Sequence, residues 1–271
     1  MQAKLLTDED FQNNRRISYS NRSCCLSQRT SRISECPCRY GRNRLHRGEI
    51  EKLLVQSLYS DYTRLYRFSG MDQKKFLELY LKRYEMNLIN YCLRIVFNHY
   101  QKPFDLDHKK IFFDKYSDLS IDKLITSGNI GELVENLKGT EYYAPLKRLE
   151  NAENPTLFDY DLALNLYYFT TMWKKRKKIL KHKELEIFTR DAGAKIDLLN
   201  LQWICRAKKY YHLPEGEIYA MIIPISLHLK KTEIRAMAQA EDVEQVYALI
   251  RNSWYGRLDL GNLEKGQSLE E

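Results

Sequence analysis

Residues that interrupt helices are scarce in this sequence, which has only 11 glycines and 6 prolines among 271 residues. Such scarcity, together with many Leu, Lys, Glu and Tyr residues, is typical of an all-α protein. Apolar runs are also short. None approaches the roughly 20 residues of a membrane-spanning helix, and the nearest candidate, 219–229, contains Pro224. The first ten residues lack the long apolar stretch of a secretory signal. We therefore predict a helical protein that works in the cytoplasm.

The sequence also lacks the short motifs that mark common active sites. It has no glycine-rich phosphate loop, no Gly-x-Ser-x-Gly elbow and no His-x-x-x-His pair. Four of the six cysteines lie within residues 24–38, without the spacing of a zinc site. Cys92 and Cys205 lie among apolar neighbours and are predicted to be small buried side chains. We predict no catalytic residue, no cofactor and no metal site.

The positive charge is concentrated in one segment. The formal net charge is +8, but residues 12–44 hold eight arginines, no lysine and a single acid, Glu35, so the rest of the chain is nearly neutral. The only other basic cluster is Lys174–Lys183, which could bind phosphate groups of lipid or nucleic acid. A solvated helix end, partly neutralised by Glu184 and Glu186, is the favoured interpretation. A basic helical protein that binds nucleic acid through Lys174–Lys183 remains the alternative function.

An internal echo is the most informative feature of the chain. Residues 84–94 reappear in pattern as 196–206, at a separation of 112. Each copy has an acid, an aromatic residue and an arginine at the same offsets: Glu85, Tyr91 and Arg94, then Asp197, Trp203 and Arg206. A second echo at the same separation pairs Val134, Leu137 and Tyr143 with Val246, Leu249 and Tyr255. Because this separation is too long for a solenoid repeat, we predict a few large helical units.

Apolar periodicity divides the chain into helices and three units. The first unit, 1–99, ends with two long helices, and residues 100–117 read as a connector. The second unit, 100–211, has two short helices and then a second long pair. The third, 212–271, opens at Pro214 and has no long pair, so it is predicted to be incomplete. The predicted helices are 45–68, 73–99, 119–126, 130–137, 157–181, 184–211, 232–240 and 242–252.

The polar residues of the echo are the candidate functional positions. Glu85 and Arg94 are nine residues apart, on opposite faces of one helix, so they need different partners. The same holds for Asp197 and Arg206, while Asn200 shares a face with Asp197. They could form a polar interface or include a catalytic acid. A structural network between helices, repeated because the fold is repeated, is favoured, and alanine at Asp197 or Arg206 is then expected to destabilise a buried site.

Several stretches together resemble one protein family, the C subunit of rotary V-type ATPases, called d in the eukaryotic complex. The resemblance covers nearly everything except residues 12–44. The stretches that carry it are Leu5–Phe11, Arg83–Glu85 with Leu93 and Arg94, Tyr142, Phe158–Phe169, Ile196–Tyr211 and Trp254–Gly256.

This resemblance implies a fold and a function. The fold would be a funnel of three similar helical units around a pseudo-threefold axis. The protein would be a non-catalytic central-stalk subunit in ion transport, a socket between the central shaft and the membrane rotor ring. It would lie peripherally on the inner face of the membrane, with ATP hydrolysis elsewhere in the complex. No cofactor, nucleic acid or small-molecule substrate is implied. The family's third unit continues into long helices, whereas this sequence ends soon after Trp254.

Residues 12–44 are predicted not to be a native segment of this fold. They contain eight Arg, six Ser and four Cys but no apolar stripe, so they cannot offset their ordering entropy by burial. A coding stretch read in a shifted frame produces such a mixture; a genuine basic arm is the alternative. Resequencing the gene is expected to reveal the frame change. An unbroken frame, with a well-packed helix across 20–38, would contradict the idea.

Overall fold

The computed structural model describes residues 47–100, 106–152 and 154–257. The predictions for residues 12–44, and for the exact start of the first helix at Leu45, lie outside the described residues. Within the described ranges all regular structure is helical and no strand occurs, which confirms the all-α prediction. None of the described helices combines the length and the apolar character of a membrane span.

Eleven α-helices occur in the described part of the chain. In chain order they are α1 Arg47–Phe68, α2 Met71–Phe97, α3 Asp107–Tyr116, α4 Ile121–Ile125, α5 Ile130–Asn136, α6 Tyr143–Lys147, α7 Leu157–Ile179, α8 His182–Arg206, α9 Glu215–Met221, α10 Lys231–Gln239 and α11 Val243–Asn252. A π-helical turn, Ala207–Tyr211, follows α8, and 3-10 turns occupy Arg148–Asn151 and Trp254–Arg257.

The long helices lie close to their predicted positions, but the connector 100–117 was predicted wrongly because it contains α3. The mixed charges of this stretch conceal an apolar pair, Phe112 and Phe113, which is buried. Helices α6 and α9 were also not predicted. Each is too short for its periodicity to stand out, and its stability comes from packing rather than from local pattern.

The chain divides into two compact units. In the first, within described residues 47–70 and 106–117, aromatic side chains join α1 to α3. The ring of Tyr59 stacks on Phe112 with centroids 4.0 Å apart, and Tyr62 meets Phe112 edge-on at 5.2 Å. One turn further along α1, Tyr66 meets Tyr116 at 5.2 Å. Tyrosines at helical spacing thus supply the contact face of α1.

The second unit holds the echo residues, within described residues 71–100, 118–152 and 154–257. Helix α2 packs along α7, and α8 packs against α7, α9 and α11. A capping box between Thr156 and Asp159 starts α7. Cys92 and Cys205 are both buried, as predicted. The core around α8 is apolar and includes Leu201, Ile204, Ile218, Met237, Val246 and Ile250.

One order of elements occurs twice along the described chain. Two long helices, α1 and α2, are followed by the short helices α3 to α6. The long pair α7 and α8 is then followed by α9 to α11 and a 3-10 turn. This order fits units related by duplication. The three-unit division and the pseudo-threefold funnel remain predictions. The two compact units are defined by which residues pack together, and their bounds do not coincide with those of the repeated units.

Candidate functional site

The carboxylate of Asp197, in the middle of α8, is completely buried. Its oxygens accept hydrogen bonds from three consecutive backbone N–H groups, at 3.1 Å from Leu227, 2.8 Å from His228 and 3.3 Å from Leu229. The hydroxyl of Tyr255 donates a further bond at 2.9 Å. Burial, together with this bond and the charge of Asp197, raises the pKa of Tyr255, so the phenol keeps its proton. Four donors therefore converge on one buried acid.

Two neighbours on α8 help to hold the loop that supplies these N–H groups. A β-carbon added at Gly193, one turn before Asp197, would lie 2.8 Å from the Leu227 β-carbon, so glycine permits the close approach. One turn after Asp197, the buried Asn200 accepts a hydrogen bond from the Ile223 N–H at 2.9 Å and donates to the Ile223 carbonyl at 3.0 Å. The loop between α9 and α10 is thus anchored to α8 at both ends.

Glu85 occupies the equivalent position on α2 and is also buried. It accepts hydrogen bonds from the Tyr142 hydroxyl at 2.7 Å and from the Lys82 ammonium at 3.0 Å. Lys82 lies 3.2 Å from a second carboxylate, Glu141. Burial lowers the pKa of Lys82, but the charges and hydrogen bonds of Glu85 and Glu141 outweigh it, so the net pKa is raised. Burial and the Glu85 carboxylate also raise the pKa of Tyr142.

The partners of the two acids show that the second sequence echo is wrong by one residue. Tyr142, not Tyr143, binds Glu85 as Tyr255 binds Asp197, which makes the separation 113 rather than 112. Bonds around these tyrosines repeat at the same separation. Thr140 Oγ1 donates to Leu137 O at 2.7 Å and accepts from Tyr142 N at 3.3 Å; Ser253 Oγ donates to Ile250 O at 2.7 Å and accepts from Tyr255 N at 3.2 Å.

The start of the preceding short helix repeats in the same register. Asn129 caps α5 by accepting from the Glu132 N–H at 2.9 Å, and Asp242 caps α11 by accepting from the Gln245 N–H at 2.8 Å. In both copies the residue before the cap donates its backbone N–H to the side chain four positions later, which belongs to the same residue whose N–H the cap binds. Such reciprocal bonding at two positions 113 residues apart indicates two copies of one structural unit.

A π-helical turn accounts for the extra residue between the two echoes. His99 after α2 and His212 after α8 have the same left-handed backbone, with φ of 50° and 49°. His99 is five residues after Arg94, whereas His212 is six after Arg206. The turn Ala207–Tyr211 lies in the longer copy, and its i→i+5 bonding encloses one residue more than an α-helical turn does.

The two arginines of the echo lie at the surface. Arg94 is exposed, and its positive charge acts on Asp161 of α7, to which Asn90 donates a hydrogen bond. Burial raises the pKa of Asp161, and Arg94 opposes that shift. Arg206 is exposed at the end of α8. The five predicted residues therefore do not form one site: Glu85, Asp197 and Asn200 are buried anchors, and the arginines face outward.

The basic run at the end of α7 is mostly solvated, with one exception. Its lysines are exposed, and Lys175 pairs with Glu141 at 3.8 Å. Arg176 is instead buried, with its guanidinium 3.5 Å from the centroid of the Trp173 ring and its Nε 3.1 Å from the Thr189 hydroxyl. Burial lowers the pKa of Arg176. Arg176 thus ties α7 to α8 and is not part of a cationic surface.

Chemically, the two buried acids act as hydrogen-bond acceptors that anchor distant segments. Across the described ranges, no group of three or more His, Cys, Asp or Glu side chains is arranged to hold a metal ion. The sequence pattern found both acids but missed their donors, namely Tyr142, Lys82 and the 227–229 amides. A search for the repeat with a variable separation would have identified Tyr142. Backbone donors in an irregular loop leave no sequence signal.

The charge of Asp197 is predicted to be essential for stability. We expect Asp197→Asn to lower the free energy of unfolding by about 1–3 kcal/mol, because its amide presents hydrogen atoms to N–H donors that then lack an acceptor. Asp191→Asn, an exposed change on the same helix, is the control and should stay within about 0.5 kcal/mol. Urea unfolding of both variants measures the difference. Equal stabilities would show that the buried bonds contribute little.

The corrected register makes a second prediction. We expect Tyr142→Phe to lower the free energy of unfolding by about 1.5–3 kcal/mol, since it removes a buried hydrogen bond to a carboxylate. Tyr143→Phe removes a partly exposed bond of 2.9 Å to Glu135 and should change it by less than about 0.5 kcal/mol. Thermal and urea unfolding of the pair measure this. A larger loss of stability in Tyr143→Phe would favour the pairing of Tyr143 with Tyr255 at a separation of 112.

Comparison with known proteins identifies the family. The family model described as "ATP synthase (C/AC39) subunit" matches residues 1–271. The chain is 26% identical over 216 residues to the C subunit of the A-type ATP synthase of Methanosphaera stadtmanae, covering 77% of this chain and 54% of that protein. It is 25% identical over 249 residues to the corresponding A-type ATP synthase protein of Methanosarcina mazei, covering 91% and 66% respectively.

A third relative, the C subunit of the A-type ATP synthase of Methanocaldococcus jannaschii, is 25% identical over 215 residues, covering 77% of this chain and 52% of its own length. The chain thus spans between about half and two thirds of the length of these curated relatives. Identity is modest, but the family model covers the chain from end to end. This chain belongs to the ATP synthase C/AC39 family, whose members are components of A- and V-type rotary ATPases.

Proposed function

We propose that this protein is a non-catalytic central-stalk subunit of a rotary ATPase. In this role it is a socket that receives the central shaft on one side and contacts the membrane rotor ring on the other. The single observation that carries the proposal is membership of the C/AC39 family along the whole chain. ATP hydrolysis and ion translocation belong to other subunits of the complex.

The use of the buried acids supports a mechanical role. A subunit that transmits torque needs segments that do not slide past one another under load. Asp197 binds α8 to the 227–229 loop and to Tyr255, and Glu85 binds α2 to Tyr142. Buried charge-assisted hydrogen bonds of this kind hold one geometry, because breaking them leaves an uncompensated charge. The two acids are therefore structural anchors rather than proton donors to a substrate.

Partners and location follow from the same role. The protein sits peripherally on the cytoplasmic face of the membrane, bound to shaft and ring subunits. The proposed arrangement is a funnel of helical units, of which the two matched Asp197 and Glu85 sites mark two. Neither a nucleotide nor a small-molecule substrate is part of this function.

Co-purification from native membranes tests the proposal. An affinity-tagged chain, expressed in its source organism, is expected to recover shaft and ring subunits, while the purified chain alone should not hydrolyse ATP. Recovery of neither set of subunits, or ATPase activity of the chain alone, would contradict it. The nucleic-acid alternative is tested in parallel with duplex DNA. A mobility shift at physiological ionic strength that Lys177→Gln/Lys178→Gln abolishes would favour that alternative.

A further inference from the structure

Helices α2 and α8 run parallel and bring equivalent residues of the two copies together. The end of α2 meets the start of α7 through Asn90 and Asp161, so these helices are antiparallel. The end of α7 meets the first half of α8 through Arg176 and Thr189, so they are antiparallel as well. Helices α2 and α8 therefore point the same way, both packed on α7.

The first contact between the two parallel helices is a pair of phenylalanines. The rings of Phe76 on α2 and Phe188 on α8 meet edge-on, with centroids 5.4 Å apart. These positions are separated by 112 residues, the separation of the first echo. At this point the duplicated helices thus lie side by side in register.

Two cations follow at the next equivalent positions. Arg83 and Lys195 are each seven residues beyond the phenylalanine pair, two turns and about 10 Å further along the same faces. Lys195 is exposed and Arg83 half-buried. Partial burial of the Lys195 ammonium lowers its pKa, and the positive charge of Arg83 lowers it further, while Asp191 opposes both. The two positive charges therefore repel each other across the boundary between α2 and α8.

Tyrosines lie near Arg83. Tyr168 of α7 is buried, and its pKa is raised to about 12 by burial, with Arg83 opposing and Tyr80 and Tyr84 adding to the shift. The rings of Tyr80 and Tyr84 meet at 6.0 Å on the exposed side. Neighbouring like charges are destabilising, and Asp191 offsets only part of the repulsion at Lys195, so an opposite pair at these positions would stabilise the fold better. Local departures of this kind are expected where a protein binds a partner.

We propose that the seam between α2 and α8, formed by Phe76, Tyr80, Arg83, Phe188 and Lys195, is a docking surface for an acidic segment of a partner subunit. This inference rests on the proposed function, which supplies partner subunits. Charge complementarity selects a carboxylate-bearing segment, and the aromatic rings provide apolar contact beside it.

Charge reversal separates docking from folding. Arg83→Glu and Lys195→Glu, made singly in the tagged full-length protein, each place an opposite charge beside the remaining cation. The melting temperature should then change little, because the gain beside the remaining cation is offset in Lys195→Glu by Asp191 one turn away. Recovery of the partner subunits should instead fall by about tenfold or more. The control is Lys177→Glu/Lys178→Glu at the exposed end of α7, which should leave recovery within about twofold. A residue needed only for folding would lower both readouts together.

The possible outcomes distinguish this surface from the function on which it rests. Full recovery by wild type and by both single variants would overturn the docking surface alone. Recovery of no partner by wild type would overturn the proposed function and the docking surface together. Equal losses in the control variant would show that overall charge, not the seam, is recognised. Binding to phosphatidylserine vesicles that disappears in Arg83→Glu would assign the seam to lipid and overturn docking of a protein.

Discussion

The second compact unit depends on the burial of one full negative charge. A carboxylate without solvent exposure, such as that of Asp197, is very unfavourable unless several donors replace the water it loses. Those donors come from a loop 30 residues away and from a tyrosine 58 residues away. The charge thus couples α8 to non-local structure, because the loop and the chain after α11 supply the donors that its burial requires.

The two copies meet the same requirement with different chemistry. Asp197 has a short side chain and is satisfied largely by backbone N–H groups, which Gly193 allows to approach. Glu85 is one methylene longer and uses the Lys82 ammonium in place of a loop. A tyrosine hydroxyl completes both sites. The common element is therefore a bond between a long helix and the chain just after a short helix, α5 in one copy and α11 in the other, while the second partner has diverged.

Sequence reasoning found the parts of the fold that are set by local periodicity. The long helices follow from apolar spacing, and Glu85 and Asp197 from the echo. Helix α3 was missed because Phe112 and Phe113 are surrounded by charges, and only packing against α1 reveals their role. Arg176 was assigned to a solvated run, since composition cannot show that one member of a run of like charges turns inward to Trp173. The donors to Asp197 are backbone groups, which carry no residue identity.

The π turn after α8 determines how the two halves of the chain can be compared. The separation of equivalent residues is 112 before this turn and 113 after it. An alignment of the halves must therefore open a one-residue gap between 206 and 212, and one with a fixed shift places every later pair incorrectly. Because the widened turn takes up the additional residue at a helix end, the short helices beyond it keep their hydrogen bonds. One additional residue is therefore accommodated here, whereas the same insertion inside α8 would rotate Asp197 by about 100° away from its donors.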